Sequence, residues 1–125
     1  MNDTEVRFYG FGKIKDFDKT KQYVFRMLEG TIDKLNIEKF YVGNDHPFCK
    51  LCVDVLDELK EMFPDKNISL VDKPIQRSEK ERSNSNKTLD LALVYFDGNE
   101  EIYETKIKYL IRDLYAANCT PSFVS

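Results

Sequence analysis

The chain reads as an α/β domain, a three-layer Rossmann-like doubly wound sheet of about five mainly parallel strands in the order 3-2-1-4-5. Three observations lead there. Short apolar runs of strand type alternate with longer stretches whose apolar residues recur at helical spacing. Three turns carry glycine at the ends of those runs: Gly10-Phe11-Gly12, Gly43-Asn44 and Asp97-Gly98-Asn99. The segment from Leu89 to Phe96 is the most continuous apolar run present, which suits a strand covered on both faces.

Taken in order, residues 5–9 carry Val6, Phe8 and Tyr9 and form the first strand, broken by Gly10 and Gly12. Asp16 or Asp18 caps a helix that runs to about Leu35, with Tyr23, Val24, Met27, Leu28, Ile32 and Leu35 on one apolar face. Residues 39–42 form strand two. A second helix then runs from about Pro47 to Met62, with proline near its first position and Phe48, Leu51, Cys52, Val55, Leu56, Leu59 and Met62 as its buried stripe. Residues 67–71 alternate as a peripheral third strand, and 72–87, almost without apolar residues, reads as a mobile polar loop. The fourth strand ends at Phe96. A third long helix follows over 100–117 with Ile102, Tyr103, Ile107, Leu110, Ile111 and Leu114 inward, and 121–124 is a short last strand.

Composition limits what such a domain does. At 125 residues and 42% apolar content, with nine phenylalanines and seven tyrosines, the chain suffices for one core. A net charge of −3 argues against generic nucleic-acid binding, because a grip on phosphate backbones needs a concentrated excess of Lys and Arg. No apolar run reaches a membrane span and the N-terminus lacks a signal-peptide layout, so the expectation is a soluble cytoplasmic protein with no membrane partner. Three cysteines fit reduced thiols. A sheet this small gains stability by covering an edge, which favours a homo-oligomer.

The run Phe40-Tyr41-Val42-Gly43-Asn44, then Phe48 four residues after the asparagine, then Val55-Leu56 with Glu58-Leu59-Lys60, resembles the SLOG superfamily. Its members are Rossmann-like proteins related to the lysine-decarboxylase-like (LOG) phosphoribohydrolases and to the DNA-processing protein DprA, and many sense nucleotide-derived ligands. Residue-level likeness is confined to 40–60. Phe8-Tyr9-Gly10 is similar to a family Phe-Phe-Gly-His-Arg motif, with Phe11 and Gly12 replacing the last two residues. Asp97-Gly98-Asn99 stands where the family has Gly-Gly-(Ala/Thr), and Glu104 falls at a family glutamate position. Asp97, Glu100 and Glu101 put carboxylates where a phosphate would sit, and like charges repel. Arg77 or Arg82 stands in the region of a family arginine.

Other constellations carry less. Cys49-x-x-Cys52 at a helix start has the layout of a redox dithiol, but Cys52 belongs to the apolar stripe. His46, Cys49 and Cys52 lack a fourth zinc ligand apart from distant Cys119, so no metal is expected. His46 is the only histidine, and no Gly-x-Ser-x-Gly elbow accompanies it. Asp90 at a strand head reads as a turn or cap residue, and Lys108 is an i,i+4 partner for Glu104.

The expected function is binding of a nucleotide-derived small molecule without turnover and without a further cofactor. The candidate ligand residues are Gly10, Phe11, Gly12, Gly43, Asn44, Phe48, Asp97, Gly98, Asn99 and Glu104. Backbone amides of the three turns receive phosphate or sugar, Tyr9, Phe11 and Phe48 pack a base, and Asp97 or Glu104 meets ribose hydroxyls. Two alternatives stand beside it: a phosphoribohydrolase-like glycosidase using Glu104, and a protein-interaction module whose crevice is filled by Tyr9, Phe11 and Phe48.

Overall fold

A computed structural model describes residues 5–71 and 90–124. The polar stretch 72–87, with Arg77 and Arg82, lies outside the described residues. Five strands, β1 (Glu5–Phe11), β2 (Lys39–Val42), β3 (Ser69–Val71), β4 (Asp90–Phe96) and β5 (Cys119–Val124), form one sheet in the order β3-β2-β1-β4-β5. Every pairing is parallel, with Phe8 opposite both Val42 and Leu93. The Rossmann-like architecture expected from the alternation of elements is therefore present.

Strand periodicity divides the core in two. Val6, Phe8, Phe40, Val42, Leu93 and Tyr95 face α1 (Phe17–Asp33) and α2 (Pro47–Met62), and meet Val24, Leu28, Ile32, Phe48, Leu51, Val55, Leu56 and Leu59. Ala92, Val94 and Cys119 point the other way, toward Ile107 and Leu114. That second layer is a short α3 (Glu100–Ile102), a π-helical turn over Tyr103–Ile107 and α4 (Lys108–Ala116). Both faces of β4 are thus covered, which is why its sequence is so uniformly apolar. On the second face of β1, Arg7 is only 3% exposed and lies 3.9 Å from Glu5, which also accepts from the Tyr41 hydroxyl at 3.2 Å.

Several expected core positions lie elsewhere. Tyr23 is 49% exposed because it sits one residue, about 100° of helix, away from buried Val24. Leu35 lies beyond the end of α1, where Asn36 takes a left-handed backbone (φ 55°), and is exposed. Met62 closes the last turn of α2 and is also exposed. The third long helix is not regular: the Lys108 N–H bonds back five residues to the Tyr103 carbonyl, and this wider turn leaves Tyr103 at the surface. β5 begins at Cys119, two residues before Pro121. Proline is tolerated there because β5 is an edge strand.

Replacing Leu93, fully buried at the sheet centre, by alanine is expected to cost about 2–5 kcal/mol in urea denaturation. Met62→Ala is expected to change stability by no more than about 0.5 kcal/mol. Similar costs at the two positions would contradict the assignment of the core.

Candidate functional site

In a parallel sheet the loops after β1, β2 and β4 all leave the same edge. After β1 the chain turns to the α1 face and after β4 to the α4 face, which opens a crevice between neighbouring strands. The loops are tied to one another across it. The Asn44 side-chain amide pairs with both backbone groups of Gly10, accepting from its N–H at 3.2 Å and donating to its carbonyl at 3.0 Å. Asp97 accepts from the Lys13 N–H at 3.1 Å and from the Asn99 N–H at 2.9 Å. The buried Tyr95 hydroxyl donates to the Lys13 carbonyl and accepts from the Lys15 N–H, both at 3.0 Å.

His46 is the fourth tie. As N-cap of α2 its Nδ1 accepts from the Phe48 N–H at 3.1 Å, while Nε2 meets the Gly12 carbonyl. Since Nδ1 accepts, the proton belongs on Nε2, which donates to Gly12. The ring also stacks on Tyr95 with centroids 6.3 Å apart.

Close packing explains the glycines. A Cβ on Gly10 would fall inside the His46 imidazole, one on Gly12 inside the Asp97 carboxylate, and one on Gly43 inside the Tyr9 ring. Gly98 has open space around it but a φ of 90°, a backbone conformation that disfavours side chains.

Between these ties remains an open cleft of about 270 Å³, lined by Gly10, Phe11, Gly12, Asp45, Ile102 and Lys106, with Asn44 and His46 in its wall. Among the described residues, the N–H groups of Gly12 and Asp45 donate to no protein group, while the Asn44 N–H is directed at the Cys49 sulfur. The lining also holds the Lys106 ammonium group, so two amides and one cation border the cleft.

The expected ligand residues separate accordingly. Gly10, Phe11, Gly12 and Asn44 line the cleft, although the Gly10 amide and the Asn44 side chain are spent on each other. Gly43 lies beneath it, its N–H donating to the Phe8 carbonyl at 2.7 Å. Phe48 is fully buried, stacked on Tyr95 at 5.3 Å, and is a core residue rather than a base platform. Asp97 is a loop tether, and Asn99 caps α3 by accepting from the Glu101 N–H at 3.0 Å. Gly98 and Glu104 are exposed and do not line the cleft. In Glu104's place the helix presents Ile102 and Lys106, one turn apart.

Lys106, Asp45 and His46 were not among the expected ligand residues. A lysine in a charged helix carries no signal of its own, and histidine is not a usual N-cap.

The thiols take no part. Burial pushes Cys49 up to about 11, against backbone hydrogen bonds that favour the thiolate, and raises Cys52 well above the ordinary range. The single Cys49 S–H has two acceptors in reach, the Phe8 carbonyl at 3.4 Å and Asn44 Oδ1 at 3.2 Å. Both cysteines are core residues, and no cluster of three metal-binding side chains occurs among the described residues. Burial likewise raises Tyr9, which packs under Gly43. No described helix is long and apolar enough to cross a membrane. Comparison of the chain with protein-family models, curated proteins and solved structures gave no match.

The Asn99 and Lys13 amides hold the Asp97 carboxyl below its ordinary value. A depressed carboxyl contributes above its unfolded pKa of about 3.9 and loses that contribution as pH falls through the lowered value. In an acid titration followed by NMR, the Lys13 and Asn99 amide protons are expected to move together with a midpoint below about pH 3.9. Asp97→Asn should abolish that transition. Amides that move independently, or at the ordinary midpoint, would show that the tether does not form.

Proposed function

We propose that the protein binds a nucleotide-derived small molecule at this crevice, to sense or sequester it, and does not turn it over. One observation carries the reading: an open cleft at the reversal of strand order, walled by glycine-bearing turns, whose lining holds Lys106 and the unspent Gly12 and Asp45 amides. Amide hydrogens and an ammonium group at the carboxyl ends of parallel strands suit a phosphate. Asp45, the carboxylate in the lining, suits ribose hydroxyls. Phe11 supplies apolar surface.

The use of the reactive groups supports binding without turnover. The His46 nitrogens are both engaged in holding backbone, so neither is free to move a proton. Glu104, the carboxylate that a glycosidase would need, is outside the lining. A protein-interaction module with a filled pocket is disfavoured because the cleft is open and Phe48 lies in the core.

Calorimetric titration with mononucleotides, cyclic dinucleotides and ADP-ribose derivatives is expected to yield binding by at least one of them. Lys106→Ala should weaken it by about tenfold or more, the scale of one lost charge-assisted contact. Glu104→Gln should leave it unchanged, with no free base released by either protein. Silence across the panel would remove the binding reading, and base release abolished by Glu104→Gln would replace it with the glycosidase.

A further inference from the structure

A second cavity adjoins the crevice on the far side of the β2–α2 loop. It is a groove of about 510 Å³ lined by Val42, Cys49, Lys50, Val53, Asp54 and Leu70, and it shares Asn44 and Asp45 with the crevice. Its origin is topological. β3 is only three residues long and, among the described residues, forms the sheet edge, so the outer flank of α2 overhangs the ends of β2 and β3 with no described strand beyond them. Val42 and Cys49 are buried and make the floor. Val53 and Leu70 are partly exposed aliphatic walls, while Lys50 and Asp54, one helical turn apart, are exposed at the rim.

The two cavities differ in the chemistry they offer. The crevice presents amides and a cation but, at about 270 Å³, falls just below the range of about 300–1,000 Å³ that drug-sized ligands occupy. The groove lies inside that range and presents branched aliphatic side chains with polar groups at its edge. A flat heterocycle needs such a site: apolar contact on its faces, hydrogen-bonding partners at its perimeter. Asp45 stands on the ridge between the two and lines both, where it meets whatever joins their occupants.

We propose that the groove is the base subsite of the same ligand, so that a nucleoside phosphate lies along the carboxyl edge of the sheet across the end of β2. The phosphate sits at Lys106 and the Gly12 amide, the ribose crosses the ridge with its hydroxyls donating to Asp45, and the base packs between Val53 and Leu70 under Lys50 and Asp54. This rests on the crevice being a phosphate site. It adds that the ligand has two lobes and that the second is read by α2 and β3, not by the aromatic residues of β1.

Titration of the full chain with adenosine and guanosine monophosphates and with ribose 5-phosphate separates the two claims. At least one monophosphate is expected to bind about tenfold or more tightly than ribose 5-phosphate. Val53→Trp, which fills the groove, should erase that advantage while leaving ribose 5-phosphate affinity within about twofold. Lys50→Trp provides the same block from an exposed position, should the first variant fold poorly. Equal affinity for all three probes in the unaltered protein, or an advantage that survives folded forms of these variants, overturns the base subsite and leaves the crevice standing. If none of the three binds, the base subsite for a nucleoside monophosphate is overturned, and the crevice reading is decided by the wider panel of cyclic dinucleotides and ADP-ribose derivatives.

Discussion

One imidazole holds the rim of this sheet together. His46 closes the N-terminus of α2 with one ring nitrogen and fastens the loop after β1 with the other, while its ring lies over Gly10 and against Tyr95. A helix cap is worth about 0.5–2 kcal/mol and a second hydrogen bond about 1 kcal/mol, but the geometric consequence is larger than either. With α2 fixed at Pro47, Phe48 is driven into the core and the Asn44 amide is aimed at Gly10. Two loops separated by more than thirty residues become one surface.

The glycines serve that surface first. Gly10, Gly12 and Gly43 are places where a ring or a carboxylate packs directly on backbone, so their smallness is used by His46, Asp97 and Tyr9. The amides of Gly10, Lys13, Lys15 and Asn99 are occupied by protein groups. What remains is a narrow set of donors, the Gly12 and Asp45 amides, in the same lining as Lys106. Four side chains, Asn44, His46, Tyr95 and Asp97, give the loop after β1 a defined shape, which lowers the ordering cost that any ligand would meet there.

Elements with strong periodicity were legible from the residues alone. α2 carries a clean stripe and a proline at its start, β4 is continuously apolar, and the alternation of strand and helix implies parallel order and the reversal between β1 and β4. Helix ends were less legible, because Leu35 and Met62 continue the apolar spacing after the chain has already turned away. Of the candidate site, the meeting of the loops after β1 and β2 was legible and the roles of their residues were not. Asn44 to Gly10 and Asp97 to Lys13 are pairings across long stretches of chain, which no local pattern encodes. Glu104 stands out by its likeness to a family glutamate position, and the fold presents Ile102 and Lys106 to the cleft instead. Aromatic residues beside glycine turns were equally ambiguous. Burial decides between them, and it puts Phe48 inside and Phe11 at the cleft.

The joint between α2 and the β1 loop requires the His46 proton on Nε2, with Nδ1 open to the Phe48 amide. Long-range proton–nitrogen NMR correlation of the imidazole reads this directly, and a chain with a single histidine makes the assignment unambiguous. A fixed Nε2–H tautomer at neutral pH, with Nδ1 showing an unprotonated nitrogen, is the expected result. A ring that exchanges between tautomers, or that carries its proton on Nδ1, would mean that α2 and the β1 loop are not joined here and that the crevice has no common wall.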